Sequence, residues 1–374
     1  MKVADSETSS QLADRQIKLL VVTTQMSDGG AERFASTLLK SLDRESFSIE
    51  LCTLRDDRGY ELPEDLQVYS LGYSGVLSLP RTVRRLTDLI ASTQPNVVLS
   101  CVNATNIVTG LAVKRCPHIV RWFARVGNSP RQADRGLRRF VLRQLYRDSD
   151  LVIANAEALR DEMIECYGLE NHPMAVALNP CDLPQIRRAA SVGQSPIKRA
   201  DYRIVACGRL ANQKRYDVML RALASLQMRE SVELVICGDG PLRRSLERLS
   251  NHLQIRDQVT FLGFVENPHA IMASADLFLL TSDYEGLPNA LIEAQALGVP
   301  AISTDCPTGP REIVEEGVTG LLVPVRDAHA LSAAVSKLLE NVDLRQSMSV
   351  AAIASMEKRF ALDVVMDDWQ ALLR

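Results

Sequence analysis

The chain has 374 residues, of which 46% are hydrophobic and 24% are charged. That composition is typical of a globular protein and excludes wholesale disorder, and the length favours two domains. With 43 Lys and Arg against 46 Asp and Glu, the formal net charge is −3, so we expect no nucleic acid among its partners. Eight cysteines occur without a C-x-x-C pair, which favours reduced, structural thiols in a cytosolic protein.

No segment predicts a targeting signal or a membrane span. The first 16 residues are polar and mixed in charge and lack the apolar region of a secretory signal. The longest apolar runs have about six residues, against about 20 needed to cross a bilayer. We therefore expect residues 1–15 to form a flexible tail and the remainder to be soluble.

Short apolar segments alternate with amphipathic ones through the first half of the chain. Helical periodicity marks Ala31–Leu42 and Leu137–Tyr146, and continuous apolar strands between helices are typical of a parallel sheet covered on both faces. We predict a Rossmann-like domain over residues 16–181. Its predicted strands are Ile17–Val22, Ile49–Thr53, Val97–Cys101, Ile119–Trp122, Leu151–Ala154 and Ala175–Leu178.

A break and a second α/β pattern follow. Residues 182–200 are rich in Pro, Ser, Gly and basic residues, a composition that predicts a linker. We predict a second Rossmann-like domain over 201–355 and a C-terminal helix within 356–374, for which packing back on the first domain is one option. The predicted strands are Ile204–Cys207, Glu233–Cys237, Val259–Phe261, Leu277–Leu280, Ala301–Ser303 and Leu321–Val323, and the last helices are Ala328–Leu339 and one near Asp363–Leu373. The fold class is α/β, with two doubly wound domains facing a cleft.

The small net charge hides a strongly basic segment between Leu66 and Arg147. This segment has 13 Lys and Arg and only two acids, so it carries +11 and the rest of the chain −14. Such a local excess favours an anionic partner, either a phosphate-bearing ligand or a membrane surface. Ordinary solvated helix faces explain it about as well.

Two glycines, Gly29 and Gly30, separate the first predicted strand from the first helix. Glycine lets the backbone approach a ligand closely, and the free N–H groups of a helix start favour an anion. The position is the carboxyl edge of the sheet, where open α/β sheets bind ligands. A tight strand–helix turn explains the pair equally well, and no dinucleotide fingerprint is present.

Gly208, Arg209 and Lys214 follow the first predicted strand of the second domain. Arg209 offers a planar fork for phosphate oxygens, and Lys214 adds a flexible point charge five residues later. Together they suit a diphosphate. A pair of surface cations is the alternative.

Two glutamates, Glu285 and Glu293, lie eight residues apart in the segment D-Y-E-G-L-P-N-A-L-I-E-A. With a helix expected to begin near Leu287, that spacing corresponds to about 12 Å of helical rise. The two acids are then too far apart to act on one bond, but they suit the two ends of one elongated ligand. Ordinary helix-start and surface acids are the alternative.

In combination, these motifs resemble those of family 4 glycosyltransferases. The three carrying the likeness are G-G-A-E-R at Gly29–Arg33, G-R-L-x-x-x-K at Gly208–Lys214 and S-x-x-E-G-L-P-N-A-L-I-E-A at Ser282–Ala294. Further matches are V-T-F-L-G at Val259–Gly263, the turn Asn179-Pro180 and T-D-C-P-T-G-P-R-E-I-V at Thr304–Val314. The likeness covers nearly the whole chain and is stronger in the second half. It implies the GT-B fold, and the Thr304–Val314 run is similar to the branch that builds bacterial surface polysaccharides and lipid-linked oligosaccharides.

The resemblance implies a retaining glycosyltransferase that needs no metal or other cofactor. It would move a sugar from a UDP- or GDP-linked nucleotide sugar, bound by the second domain, to a saccharide acceptor, commonly polyprenyl-diphosphate-linked, bound by the first. Arg209 and Lys214 would hold the diphosphate and Glu285 would touch the donor sugar, these three being the implied catalytic residues. Glu293 would receive the ribose hydroxyls. The other implied donor-binding residues are Gly29, Gly30, Gly208, Gly238, Phe261, Leu262, Gly263, Gly286, Leu287 and Asn289.

The sequence departs from the family pattern in two places. Leu287-Pro288-Asn289 replaces the family's aromatic-glycine form of this loop, which puts the reading of the donor sugar in doubt. The histidine often found after a strand of the first domain is not evident, so Arg125 and Asn128 are the candidates there for contact with donor or acceptor. The D-x-D spacing at 148–150 precedes a predicted strand and is discounted as a metal site.

An amphipathic basic helix would place the protein on a membrane. Arg138, Arg139, Arg143 and Arg147 alternate with Leu137, Phe140, Val141 and Leu145, a pattern that suits an anionic leaflet. We expect a cytoplasmic protein, peripheral on the inner face of the cell membrane. The alternative functions are a nucleotide-sugar epimerase of the same fold and a non-catalytic sugar- or nucleotide-binding protein.

Overall fold

A computed structural model describes residues 16–374 apart from 28, 58, 135, 194 and 196–199. The predicted tail, 1–15, lies outside the described residues. The described chain divides into two compact units. The first runs to Asn155 and adds Arg160–Ala177 and Met366–Arg374, and the second comprises Ala156–Leu159 and Leu178–Val365.

The first unit is built on a parallel sheet of seven described strands in the order β3-β2-β1-β4-β5-β6-β7. The strands are β1 (Ile17–Thr23), β2 (Phe47–Thr53), β3 (Gln67–Ser70), β4 (Val97–Ser100), β5 (Arg121–Val126), β6 (Leu151–Ala154) and β7 (Met174–Val176). The central strands are almost continuously buried, as expected for a parallel sheet with helices on both faces.

Helices connect the strands of this first sheet. They are α1 (Gly30–Ser41), α2 (Leu79–Thr93), α3 (Asn103–Val113), α4 (Pro130–Ala133), α5 (Gly136–Arg147) and α6 (Glu157–Tyr167). On one face, α2 packs on α3 and α3 packs on α5. Since each of these helices returns the chain between parallel strands, their N-termini all lie at the carboxyl edge of the sheet.

The second unit has a parallel sheet of six described strands in the order β10-β9-β8-β11-β12-β13. The strands are β8 (Tyr202–Cys207), β9 (Val232–Cys237), β10 (Val259–Gly263), β11 (Leu277–Leu280), β12 (Ala301–Thr304) and β13 (Gly320–Val323). One apolar cluster lies on each face of this sheet, with Ile236 in the first and Val235 in the second. The alternation of sides along one buried strand shows that both faces are covered.

The helices of the second half are α7 (Leu183–Val192), α8 (Tyr216–Ser225), α9 (Arg243–His252), α10 (His269–Ala273), α11 (Asn289–Ala296), α12 (Pro310–Ile313), α13 (Ala328–Glu340), α14 (Val342–Arg359) and α15 (Leu362–Leu373). The end of α15 belongs to the first unit, where Trp369 packs on Phe34 of α1 with ring centroids 5.0 Å apart. No helix of the described chain combines the length and the apolar character that a membrane span requires.

The structure corrects several predicted elements. The strand predicted at Ile119–Trp122 is β5, Arg121–Val126, and Ile119 is exposed. The two arginines inside β5 had hidden its apolar character. The edge strand β3 was missed because its side chains are only partly buried, which leaves no apolar run. The long helix α14 was also missed.

The segment 182–200, predicted as a linker, contains helix α7 instead. Asp182 caps it by accepting a hydrogen bond from the N–H of Gln185 at 2.9 Å, and Pro184 occupies its first turn. Both are helix-start signals that composition alone overlooks. Leu183 and Ile186 are buried, and α7 packs on α10 and α11 of the second unit. The longer segment of the second unit, Leu178–Val365, therefore includes α7.

Candidate functional site

The switch point of the second sheet lies between β8 and β11, where the strand order reverses. Open α/β sheets bind ligands outside the carboxyl ends of the strands at such a point. The segment that leaves β8 runs from Gly208 to Lys214, and the one that leaves β11 runs from Thr281 to Pro288. Two of the three motifs found in the sequence therefore meet at the expected place.

Three glycines form the backbone edge beside this point. The N–H of Gly208 donates to Cys237 O at 2.9 Å, and that of Gly238 donates to Gly263 O at 2.7 Å. Gly208 and Gly238 have φ of 147° and 146°, and a Cβ at Gly238 would overlap the carbonyl oxygen of Gly208. Side chains are therefore sterically excluded from this edge, and its backbone is accessible to the polar groups of a ligand.

Lys214 and Glu285 form an ion pair at the switch point. The Lys214 Nζ lies 2.6 Å from Glu285 Oε1, and the side chains are 21% and 8% exposed. The hydroxyl of Ser282 donates to the same carboxylate oxygen. Two residues predicted to hold neighbouring parts of one ligand are therefore in direct contact.

The loop that carries Glu285 is held by hydrogen bonds from neighbouring segments. The Gln213 side chain donates to Tyr284 O at 2.7 Å, and the Thr304 hydroxyl donates to Ser282 O at 2.6 Å. The Thr308 hydroxyl donates to Glu285 O. The run Thr304–Val314, recognised in the sequence only as a family match, thus supports the loop directly.

Arg209 is not part of the Lys214–Glu285 ion pair. Its side chain is exposed, whereas Lys214 is mostly buried against Glu285. Exposure at the carboxyl edge leaves the guanidinium accessible to an anion, consistent with the predicted diphosphate contact.

Glu293 lies inside α11 and is 4% exposed. Its Oε2 is 3.3 Å from His269 Nε2, a contact that sequence reasoning missed. The helix begins at Asn289 rather than near Leu287, so only part of the spacing between Glu285 and Glu293 is helical and the 12 Å estimate does not hold. Asn289, a predicted donor contact, accepts a hydrogen bond from the Asn179 side chain at 2.8 Å.

Gly286 and Leu287 are both buried within the loop that precedes α11. The carbonyl of Gly286 faces Gly309 so closely that a Cβ at Gly309 would overlap it. The side chain of Leu287 belongs to the apolar cluster of the sheet. The Leu287 side chain is therefore not available for the predicted donor contact.

The predicted base-binding segment Phe261–Gly263 is the end of β10. The Phe261 and Leu262 side chains pack on opposite apolar clusters, and Phe261 O accepts a hydrogen bond from Arg243 at 3.0 Å. The next residue, Phe264, is 66% exposed at the same edge. A large exposed aromatic ring beside bare glycine backbone suits stacking on a planar ligand. Sequence reasoning missed Phe264 because the apolar run gave no sign of where burial ends.

In the first unit, Gly29 and Gly30 lie where β1 leads into α1, and both are exposed. Gly29 precedes the helix, and its carbonyl accepts the N–H of Arg33 at 3.0 Å. The Glu32 carboxylate of the first helical turn lies against Gly29, where a Cβ would overlap its oxygen, so the chain's own carboxylate takes up part of the space predicted for an anion.

Arg125 lies in the core of the first unit, 2% exposed. Its guanidinium is 3.7 Å from the Phe34 ring centroid and donates to Cys101 O at 3.3 Å. Burial lowers the pKa of Arg125 to about 10. These contacts favour a structural role over the predicted ligand contact, whereas Asn128, two residues beyond β5, is exposed.

On the basic helix α5, some arginines are paired with neighbouring residues and others are exposed. Arg138 pairs with Asp134 at 2.9 Å, and Arg139 donates to Cys166 Sγ at 3.0 Å. Arg143 is exposed, as are Leu137 and Phe140. The predicted membrane contact of Leu145 is wrong, because this side chain is buried in the unit.

Asp134 is buried and accepts hydrogen bonds from Asn103 at 2.7 Å and from the Tyr167 hydroxyl at 2.6 Å. It therefore joins Arg138 to a buried polar network, and a substitution of Arg138 would disturb the fold as well as the surface charge.

Cys306 lies beneath the Glu285 loop, and its Sγ donates to Thr308 O at 3.5 Å. Burial, together with the charge of Glu285, raises the pKa of this thiol to about 12. It is therefore a packed thiol and no nucleophile. Within the described residues, no three His, Cys, Asp or Glu side chains are grouped to hold a metal ion.

Comparison with known families accounts for both units. The family model described as Glycosyltransferase Family 4 matches residues 28–185, and the one described as Glycosyl transferases group 1 matches residues 188–354. The chain belongs to glycosyltransferase family 4. It is accordingly a glycosyltransferase, and the family resemblance read from its motifs is confirmed.

Two similar proteins from Campylobacter jejuni align with most of this glycosyltransferase. One is an N-acetylgalactosamine-N,N'-diacetylbacillosaminyl-diphospho-undecaprenol 4-alpha-N-acetylgalactosaminyltransferase, 28% identical over 88% of this chain and 92% of its own. The other is a GalNAc-alpha-(1->4)-GalNAc-alpha-(1->3)-diNAcBac-PP-undecaprenol alpha-1,4-N-acetyl-D-galactosaminyltransferase, 26% identical over 96% of this chain and 98% of its own.

Solved structures confirm the predicted fold class, two Rossmann-like units of the GT-B type. Anabaena HepE, crystallised with UDP and glucose, superposes with a TM-score of 0.79 at 19% identity, covering 96% of this chain and 99% of that one. Sucrose-phosphate synthase from Thermosynechococcus elongatus gives a TM-score of 0.81 at 20% identity, covering 96% and 98%.

The crowding at Gly238 predicts a stability loss that backbone strain alone does not explain. We expect Gly238→Ala to lower the free energy of unfolding by about 1–3 kcal/mol more than a control, because the new methyl overlaps Gly208 O. Gly75→Ala is the control, since Gly75 has a similar φ (134°) but open space at its Cβ. Urea denaturation followed by circular dichroism measures both, and equal losses would contradict the crowding argument.

The buried ion pair predicts that removing one partner costs more than removing an exposed charge. Lys214→Met leaves the Glu285 carboxylate buried without its cation, and we expect a loss of about 1–3 kcal/mol in the free energy of unfolding. Lys337→Met, at an exposed position of α13, is the control and should change little. The double variant Lys214→Met/Glu285→Leu should lose less than the sum of the single variants in the same denaturation experiment. Additive losses would show that the pair contributes nothing.

Proposed function

We propose that this glycosyltransferase moves a sugar from a UDP- or GDP-linked nucleotide sugar to a saccharide carried on polyprenyl diphosphate, with retention at the anomeric carbon. The observation that carries the proposal is the Lys214–Glu285 contact at the switch point of the second sheet. It brings a cation suited to phosphate and a carboxylate suited to sugar hydroxyls within hydrogen-bond distance. A sugar–phosphate junction needs both groups at one place.

The arrangement suits the departure of a nucleotide diphosphate. As the bond between the anomeric carbon and the diphosphate oxygen breaks, negative charge grows on that oxygen. Lys214 and the exposed Arg209 are cations that stabilise this charge, and such stabilisation is usually a large catalytic term. Glu285, fixed by Lys214 and Ser282, accepts hydrogen bonds from the sugar hydroxyls and orients the anomeric carbon.

The nucleotide would extend along the bare edge formed by Gly208, Gly238 and Gly263. Glu293 receives the ribose hydroxyls, and the base lies at the end of β10, with the exposed Phe264 ring available for stacking. For Gly29 and Gly30, at the start of α1, the family resemblance implies contact with phosphate groups or with the acceptor. The two Campylobacter relatives, whose names describe transfer to undecaprenol-linked saccharides, support the acceptor class and a role in surface-polysaccharide or lipid-linked oligosaccharide assembly.

The donor assay tests the site and the reaction class together. The purified protein is incubated with a panel of UDP- and GDP-sugars, and release of free nucleotide is measured with and without a lipid-linked saccharide acceptor. We expect acceptor-dependent release that persists in EDTA, with the anomeric configuration retained in the product by NMR. Glu285→Gln should lower kcat by about 100-fold or more, because it weakens contacts made in the transition state.

Each alternative gives a different result. An epimerase would interconvert the nucleotide sugar with no net nucleotide release, and a binding protein would protect the nucleotide sugar without turnover. Asp343→Asn on α14, far along the chain from the site segments, is the matched control for removal of one carboxylate. Transfer that is unchanged by Glu285→Gln would refute the site assignment.

For the lipid-linked acceptor, we propose that the first unit rests on the inner face of the cell membrane. At the carboxyl edge of its sheet, Val76 and Leu77 precede α2 and are 78% and 100% exposed. Phe140 is 61% exposed on α5, which belongs to the same layer of helices as α2, since both pack on α3. Apolar side chains that project beside exposed arginines suit an anionic lipid surface.

Charge reversal on this face predicts a loss of membrane binding. Arg81, Arg84 and Arg143 are exposed, so Arg81→Glu/Arg84→Glu/Arg143→Glu removes surface charge without touching the buried Asp134. We expect binding to vesicles of phosphatidylglycerol and phosphatidylcholine to fall by at least 10-fold, and wild-type binding to weaken with added salt. Sedimentation with vesicles measures both.

The control variant carries the same change in charge elsewhere. Arg115 follows the C-terminus of α3, and Arg244 and Arg248 lie on α9 of the second unit. All three side chains are exposed. Arg115→Glu/Arg244→Glu/Arg248→Glu should bind vesicles nearly as the wild type does. Equal losses in the two variants would show a general charge effect and no membrane face.

A further inference from the structure

Glu293, the carboxylate assigned to the nucleotide ribose, lies against a histidine. We infer that His269 is a positioning residue that holds the Glu293 carboxylate for the ribose hydroxyls, through a chain of contacts that begins on helix α7. The inference rests on the proposed function, because it takes the ribose role of Glu293 from there. Its Nε2 is 3.3 Å from Glu293 Oε2, and the side chains are 14% and 5% exposed.

Asn267 fixes the orientation of the His269 ring. The Asn267 Nδ2 donates to Ala189 O at 2.9 Å, which identifies the amide nitrogen and leaves Oδ1 as the acceptor. That oxygen accepts the N–H of His269 at 3.2 Å and lies 3.2 Å from His269 Nδ1. The Nδ1 atom therefore bears a proton and donates it to Asn267, which turns Nε2 toward Glu293.

The other ring nitrogen of His269, Nε2, faces the Glu293 carboxylate. Nε2 is buried and has no other hydrogen-bond partner in the described part of the chain, so the 3.3 Å contact with Glu293 Oε2 is what holds this end of the ring. The ring thereby fixes one carboxylate oxygen and leaves the arrangement of the other to a ligand hydroxyl.

The contacts tie the donor site to the start of the second unit. Ala189 lies on α7, and α7 packs on both α10 and α11. The relay runs from the Ala189 carbonyl through Asn267 and His269 to Glu293, within one unit. A side chain buried in this way has few alternative rotamers, and such preorganisation lowers the entropy cost of ligand binding.

Two substitutions of His269 separate its two nitrogens. His269→Gln keeps an N–H near the position of Nε2, whereas His269→Asn keeps one near Nδ1 and lacks the reach to Glu293. We expect His269→Asn to raise KM for the nucleotide sugar, and Kd for free UDP or GDP, by about 10-fold, the effect of one hydrogen bond to a charged group. The kcat should stay within about twofold, and His269→Gln should restore most of the affinity.

Glu293→Gln and the double variant Glu293→Gln/His269→Asn complete the test, with nucleotide binding measured by calorimetry. If Glu293→Gln weakens binding and His269→Asn adds nothing in that background, the inference is supported. If Glu293→Gln weakens binding but His269→Asn has no effect, or an additive one, the inference is wrong and the proposed function stands. If Glu293→Gln leaves binding unchanged, the ribose role in the proposed function fails first.

Asn267→Ala provides a second route if a His269 variant does not fold. It removes the acceptor that orients the ring and leaves both members of the Glu293 pair in place. We expect a smaller rise in the nucleotide Kd than for His269→Asn, with thermal unfolding of every variant recorded alongside. A stable Asn267→Ala variant with wild-type Kd and KM would also overturn the inference.

Discussion

The buried contact between Lys214 and Glu285 is the constraint around which the second unit is arranged. Charges withdrawn from water are costly unless they are paired and hydrogen-bonded, and here the partners come from the two strands that flank the switch point. The compensation extends outward, since Ser282 donates to the carboxylate and Thr308 supports the loop. The Glu285 loop, the strand order and the Lys214–Glu285 pair therefore depend on one another. The side chains at the switch point are held in place before any ligand binds.

The bare edge beside the pair follows from a different constraint, the spacing of the strands. Gly208 and Gly238 follow β8 and β9, whose last residues Cys207 and Cys237 are register partners. As the backbones leave the sheet they come too close for a side chain between them. Exclusion of side chains at this edge is thus a consequence of the fold, and the edge is the one along which the nucleotide is proposed to extend.

Much of the fold was predictable because a parallel sheet buried on both faces leaves continuous apolar runs. The six strands of the second sheet were all located, and Leu277–Leu280 agreed at both ends. Prediction failed where burial was incomplete or charge lay inside a strand, as in β3 and β5. Helix α7 was mistaken for a linker because Asp182 and Pro184 were counted as loop composition rather than as a cap and a first turn.

The contacts within the candidate site could not be predicted from the sequence. Motif spacing identified Lys214 and Glu285, yet their pairing crosses 71 positions of the chain and only the sheet order brings them together. The charge of the basic segment was a poor guide to its surface, because a charge count does not distinguish exposed arginines from buried or paired ones. Arg125 is buried over Phe34 and Arg138 is paired with a buried aspartate, so neither contributes fully to the proposed membrane face. Since a buried or paired cation contributes little to attraction at a distance, the proposed contact with lipid depends on the exposed arginines and the projecting apolar residues, not on the +11 of the segment.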